Sequence, residues 1–111
     1  MTIGAIKQGL SGMTAYQKAL DSSAHNVANA STENFKSQQV HFQELQEGGV
    51  IVNISKQAEQ LKLDNDDTQT GSDTDLAKEI VNSLQYQRGF ELSAQLIRRS
   101  DEMLDSLLKI R

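Results

Sequence analysis

Ile3 to Val27 reads IGAIKQGLSGMTAYQKALDSSAHNV, and its spacing sets the class of fold. Ile3, Ile6, Leu10, Met13, Leu20 and Val27 alternate three and four apart, with Gln17 and Ala24 completing the row. That is the heptad period of one helix carrying a single apolar stripe. Gly9 and Gly12 each cost about 1 kcal/mol in a helix interior relative to Ala. The helix is therefore weak alone and needs a partner surface to order it, and its small residues let that partner come close. It should end near Asn29, because Asn26, Asn29, Ser31, Thr32 and Asn34 crowd the next positions and compete for backbone hydrogen bonds.

A second periodic stretch occupies the other end. Leu76, Ile80, Leu84, Phe90, Ala94, Ile97, Leu104 and Leu108 keep helical spacing over about 36 residues, a rod of roughly 54 Å at 1.5 Å per residue. Asp73 or Thr74 can cap its first free amides, and the local acids suit the positive end of its dipole. A rod of that length cannot bury itself in a 111-residue globule. Gln87 and Asp101 interrupt its stripe. The pattern alone divides evenly between register-setting polar groups and residues that simply face water.

Between the helices the period changes. Val40 and Phe42 alternate with polar neighbours, Gly48-Gly49 offers a turn, and Val50, Val52 and Ile54 alternate again, which reads as a β-hairpin. Glu44, Leu45 and Gln46 would equally suit a helical turn. Gln57 to Thr74 is polar without apolar period and reads as a loop. The expected fold is mainly α: two long terminal helices pair as a coiled-coil-like hairpin, with a short β-hairpin or loop region between them. The expected division is 1–36, 37–72 and 73–111. The helices should pair antiparallel, with Leu10, Met13, Leu20 and Val27 against Leu84, Phe90, Ile97 and Leu104. Asn26, Asn29, Gln87 and Asp101 are expected as polar registration points.

Composition narrows the function. Apolar residues make up 37% of the chain and aromatics 5%, and mean hydropathy is -0.52, polar for a chain that must bury a core. Self-association is expected on that ground. No window approaches the ~18 unbroken apolar residues of a membrane span, and no secretory signal pattern opens the sequence. Zero Cys removes disulfides, thiolate metal sites and a Cys nucleophile. The net charge of -4 is concentrated in the middle, where residues 37–75 hold two Lys against eight acids. No basic stripe exists to neutralise phosphates, so nucleic acid is not an expected partner.

No catalytic or metal constellation emerges. His25 and His41 lie on different expected elements, outside any His-Glu-x-x-His pattern. The run Asp64 to Asp75 has the length of a calcium loop, but Gln69 stands where the turn needs Gly and Asp75 where a longer Glu reaches around the ion. Gly9-Leu10-Ser11-Gly12 matches Gly-x-x-Gly but sits inside the heptad and has no basic centre. No Ser lies in a Gly-x-Ser-x-Gly elbow. Enzymatic activity, cofactors and metals are therefore not expected.

Both ends resemble the terminal signatures of the bacterial flagellar rod and hook axial proteins. Ala15, Leu20, Asp21, Ala24, Asn26, Val27, Ala28, Asn29, Thr32, Phe35 and Lys36 are similar to the family's Leu-Asp-x-x-Ala-x-Asn-Ile-Ala-Asn-x-x-Thr-x-Gly-Phe-Lys pattern. Asp75, Leu76, Ala77, Glu79, Ile80 and Val81, then Gln87, Arg88 and Phe90, then Asp101, Glu102, Met103, Leu104, Leu107 and Leu108 resemble the second signature. Three departures stand out. Asn34 occupies the usual Gly position, Gly89 replaces the usual Ala before the aromatic, and only residues 37–72 separate the signatures where the family usually inserts a larger β-rich domain.

The resemblance implies a mechanical role. Family subunits are exported through the flagellar type III apparatus without a cleaved signal peptide, and their terminal segments then pair as helices in an axial polymer. The chain is thus expected to be a structural subunit of the flagellar basal body, of rod or hook type and spanning the periplasm, with other axial proteins and copies of itself as partners and no insertion into membrane. A homo-oligomer is expected, since a heterologous contact that does not close makes a filament. The expected contact residues are Leu10, Met13, Leu20, Asn26, Val27, Asn29 and Phe35 at one end and Leu76, Ile80, Leu84, Gln87, Phe90, Ile97, Asp101, Leu104 and Leu108 at the other. The alternative is a small soluble helical adaptor or chaperone-like protein that binds axial subunits without entering the polymer.

Overall fold

The computed structural model describes residues 2–56 and 71–110. Helix α1 spans Thr2–Ala28, strand β1 Gln38–Glu44, strand β2 Val50–Lys56 and helix α2 Leu76–Lys109. The loop expected from Gln57 to Thr74, with most of the Asp64 to Asp75 run, lies outside the described residues as far as residue 70.

α1 and α2 run antiparallel, as the matching periods require. Gly9 lies against Ile97, Gly12 against Ser93 and Tyr16 against Gly89, and Ser23 bonds Glu79. The molecule is a slab of 71 × 26 × 14 Å. Such a shape has no room for a closed core, and the buried apolar side chains among the described residues are those of Ala15 and Ala19. The two helices hold each other by backbone proximity and polar contacts more than by large buried side chains.

The hairpin forms where the alternation and the glycines place it. β1 and β2 pair antiparallel with Val40 opposite Ile54 and Phe42 opposite Val52. In the turn, Leu45 N–H donates to Gly49 C=O at 3.0 Å and Gly48 N–H to Leu45 C=O at 3.0 Å. Gly48 and Gly49 adopt φ of +89° and +100°, a region that costs glycine little and side-chain-bearing residues much. The apolar face of the hairpin lies on the helices. Phe42 stacks between Tyr16 of α1 and Tyr86 of α2, with ring centroids 5.2 and 5.8 Å away.

The cap of α2 falls one residue after Thr74 and two after Asp73, the two expected caps. Asp75 is the N-cap, and its carboxylate accepts from Lys78 N–H at 3.2 Å. Asp73 and Thr74 are drawn off to longer-range partners. Asp73 Oδ1 accepts from Ser37 N–H, and the Thr74 hydroxyl donates to Asn26 C=O at 3.2 Å. These contacts tie the start of α2 to the end of α1.

Candidate assembly interface

The seam between α1 and α2 is not built from the large apolar stripe. Along α1 the buried residues are Gly9, Gly12, Ala15, Ala19, Ser22, Ser23 and Asn26. They too recur at helical spacing, but most stand one position before the row of Leu10, Met13, Leu20 and Val27, a rotation of about 100° around the helix. The reason is close approach. A Cβ on Gly9 would stand 2.6 Å from Ile97 Cγ1, and one on Gly12 would stand 2.6 Å from Ser93 Oγ. Backbones this near leave no space for leucines between them.

The expected contact residues are distributed accordingly. On α1, Met13 and Leu20 are half-buried, whereas Leu10 is 59% exposed and Val27 is also exposed. On α2, Phe90, Ile97 and Leu104 are half-buried, while Leu76, Ile80, Leu84 and Leu108 are exposed, Leu84 at 62%. The expected pairing of Leu10 and Val27 with Leu84 inside one chain is therefore corrected, because small residues occupy the seam and leave these three facing outward. Gln87 and Asp101 also lie exposed and set no register between α1 and α2.

The register is set instead by a buried polar knot where the end of α1 meets the start of α2. Asn26 is 1% exposed and Glu79 is 8% exposed. Ser23 Oγ donates to Glu79 Oε2 at 2.8 Å, and Asn26 Nδ2 donates to Glu79 Oε1 at 2.8 Å and to Gln38 C=O at 2.9 Å. Asn26 Oδ1 accepts from Gln38 N–H at 2.7 Å, and the Ser22 hydroxyl donates to Gln38 Oε1 at 2.9 Å. Both Asn26 donors and its acceptor are thus satisfied, as burial demands. One asparagine joins α1 to α2 and to the first residue of β1.

The chain then turns a fixed corner. Asn29 Nδ2 donates to His25 C=O at 2.9 Å, and the Thr32 hydroxyl donates to Asn29 Oδ1 at 3.1 Å. Asn34 sits at φ +59°, where Asn is the best tolerated residue after Gly. The half-buried Phe35 ring meets His25 edge-on at 5.4 Å, and Phe35 C=O accepts from Asp73 N–H at 3.2 Å. Asn29 and Phe35 therefore shape the corner that returns the chain.

Between β1 and α2 lies a polar cleft of about 370 Å³ lined by residues that include Gln38, His41, Asp73, Lys78, Glu79 and Tyr86. Burial, and then the Glu79 carboxylate, push the Tyr86 hydroxyl above its ordinary pKa of 10.0. No group of three or more His, Asp or Glu side chains able to hold a metal gathers among the described residues.

Sequence reasoning missed Ser22, Ser23, Gln38, Tyr16 and Tyr86 as contact residues. The available signal was the second period, in which Gly9, Gly12, Ala19, Ser23 and Asn26 recur three, seven, four and three apart beside the larger row. Glu79 was visible only as part of a signature.

Two family models match the chain. The model described as flagella basal body rod protein matches residues 6–36, and that described as flagellar basal body rod FlgEFG protein C-terminal matches residues 68–110. The first covers most of α1 and the corner, and the second covers all of α2. The chain belongs to the flagellar basal-body rod family. No curated protein matches the chain closely enough to serve as a relative. Family membership gives a rod-type structural role in the flagellar basal body and partners among flagellar axial proteins. No described helix is long and apolar enough to cross a membrane. The two departures in the rod signatures also acquire a reason. Asn34 takes up the positive φ for which the family's Gly is suited, and Gly89 lies under the Tyr16 ring, where a Cβ would collide.

Proposed function

We propose that this chain is a structural subunit of the rod or hook type whose two terminal helices first close on each other and then present their outer apolar rows to neighbouring axial subunits, including copies of itself. The division into 1–36, 37–72 and 73–111 is then functional, with two assembly limbs joined by a short spacer that holds them in register. The observation that carries this reading is the double stripe. Small residues join α1 to α2, while Leu10, Val27, Leu76, Ile80, Leu84 and Leu108 stay exposed. Exposed apolar surface costs roughly 25 cal/mol per Å² until something covers it. A polymer contact covers it, and a lone adaptor would have less reason to keep so long a row.

Subunits of this kind reach the basal body after export without a cleaved signal peptide, and they span the periplasm as part of the axial structure. The experiment is deletion of the gene with complementation. A deletion strain should lose basal-body or hook assembly and motility, and the Leu84→Asp variant should fail to restore them. Normal flagella in the deletion strain would sink the proposal and leave the adaptor, whose complexes with axial subunits would stop at a defined stoichiometry in sedimentation.

A further inference from the structure

A groove runs along α1 beside β2. Leu10, Thr14 and Lys18 with Val50 to Val52 line one hollow of about 370 Å³, and Lys18 and Asp21 with Val52 to Ile54 line a second of about 510 Å³ that continues it. Leu10, Ile51 and Ile54 stay exposed there. The rim is charged. α1 contains two Lys and one Asp and no Arg or Glu, and all three, Lys7, Lys18 and Asp21, stand exposed along this groove. None of them has an ion-pair partner among the described residues.

The outer face of α2 carries the matching set. Arg88, Glu91, Gln95 and Glu102 follow one another at three, four and seven residues, so they share one face of the helix, and all four are exposed. Gly89 and Ser93 turn the other way to meet α1. Glu91 and Glu102 are eleven residues apart, as Lys7 and Lys18 are, about 16 Å along either helix. No other two carboxylates of α2 have that spacing. Arg88 lies three before Glu91, and Asp21 lies three after Lys18.

We propose that the groove takes the outer face of α2 from a second copy, antiparallel to α1, with Lys7 level with Glu102 of that copy, Thr14 with its Gln95, Lys18 with its Glu91 and Asp21 with its Arg88. This rests on the reading of the chain as an assembling subunit and names the surfaces that meet. One register gives both Lys and the Asp of α1 an opposite charge. Run parallel, the same two Lys pairs would set Asp21 level with Asp105, so the charges choose direction as well as register. Glu102 accepts from Arg98 of its own chain through Oε1, which leaves Oε2 for Lys7. Exposed pairs add little affinity singly, but like charges set face to face repel, so such a set acts mainly by rejecting other registers. Leu84 stands on the same face four residues before Arg88, and the contact covers it.

The geometry of the contact also suits a polymer. Within one chain Tyr16 lies against Gly89, whereas across the contact it stands level with Ser93 of the second copy, so successive copies step by one helical turn, about 6 Å. The two surfaces differ, so the contact does not close on a pair and passes on from copy to copy.

Charge exchange in the full chain tests the proposal. Lys18→Glu and Glu91→Lys should each abolish concentration-dependent growth in sedimentation, and the chain carrying both should regain it. Both side chains are exposed without an ion pair in the single chain, so melting followed by circular dichroism should match the wild type for all three variants. Carbodiimide coupling of the wild type, in a mixture of isotope-labelled and unlabelled chains, gives a second reading that needs no variant. Mass spectrometry should find Lys18–Glu91 and Lys7–Glu102 amides joining labelled to unlabelled chains, and these decide if a variant unfolds. Growth that survives either single exchange overturns the register, as does a folded double variant that fails to regain growth or crosslinks confined to one chain. A wild-type chain that stays monomeric at every concentration, or joins only a different axial protein, overturns it too. The wider reading fails separately, through normal flagella in the deletion strain.

Discussion

Asn26 and Glu79 stand 53 positions apart in sequence and meet through a hydrogen bond of 2.8 Å from Asn26 Nδ2 to Glu79 Oε1. Each belongs to a different terminal signature. The two signatures are therefore halves of one structural unit, the α1 half supplying the donors Ser23 and Asn26 and the α2 half the buried carboxylate that accepts them. A helical pair built on small residues can slide, since alanines and glycines at helical spacing look alike from one turn to the next. A carboxylate that fits only between Ser23 and Asn26 removes that freedom, as a single buried polar group does in a coiled coil.

Asn26→Ala should therefore cost more than its volume. It strands Gln38 N–H and C=O and removes one donor from Glu79. Leaving buried polar groups unpaired costs roughly 1–3 kcal/mol, and more where a charge is involved, so a loss of about 3 kcal/mol is expected. Urea denaturation measures it. A midpoint within error of the wild type would show that water replaces Asn26 without penalty.

Gly89→Ala gives a prediction opposite to helix propensity. On propensity alone the change stabilises α2 by about 1 kcal/mol. Here the new methyl would enter the Tyr16 ring, which Phe42 holds in place at 5.2 Å. Overpacking costs about 1–3 kcal/mol, so Gly89→Ala should lower stability or leave it level at best. A double-mutant cycle with Tyr16→Leu isolates the cause. The penalty should shrink when the ring is gone, and full additivity would place the collision elsewhere.

The helices, their antiparallel order and the hairpin were legible because each rests on a local period or a turn signal. The three-and-four spacing from Ile3 to Val27, the alternation through Val40 and Phe42, and the Gly48-Gly49 pair all act within a few residues. The seam was harder to read. Two rows run side by side on α1, and hydrophobicity points to the Leu10 row while the chain buries the Gly9 row. Large residues announce that a surface will be covered but not by what, and a subunit reserves that surface for a neighbour. The knot was illegible for a different reason. Ser23, Gln38 and Glu79 are ordinary surface residue types, and only the tertiary approach of three elements makes them buried partners. The N-cap was misplaced by one or two residues because Asp73 and Thr74 bind Ser37 and Asn26 in place of α2.

Alkaline pH should weaken the fold through Tyr86. Burial, then Glu79, raise the folded-state pKa above the ordinary 10.0, so the folded protein keeps the phenol proton more firmly than the unfolded chain. The stabilisation is fully present below the unfolded value and is lost as pH rises from there through the folded value. Denaturation midpoints should be level up to that range and fall beyond it. Tyr86→Phe should remove that part of the decline, and a variant that falls as steeply as the wild type would assign the alkaline loss to other groups.

Leu84 and Leu104 should separate folding from assembly. Leu84 is 62% exposed, so Leu84→Asp creates no buried charge in the single chain and should shift stability by no more than about 0.5 kcal/mol. Leu104 is half-buried, so Leu104→Asp should destabilise the fold by about 2 kcal/mol, the lower end of the cost of losing a buried Leu. In assembly the order reverses in one respect. Leu84→Asp should abolish concentration-dependent growth in sedimentation and restoration of motility in a deletion strain, although its melting curve matches the wild type. Leu104→Asp should lose both together. If Leu84→Asp melts normally and still assembles and swims, the exposed row on α2 is not the contact surface, and assembly must run through another part of the chain.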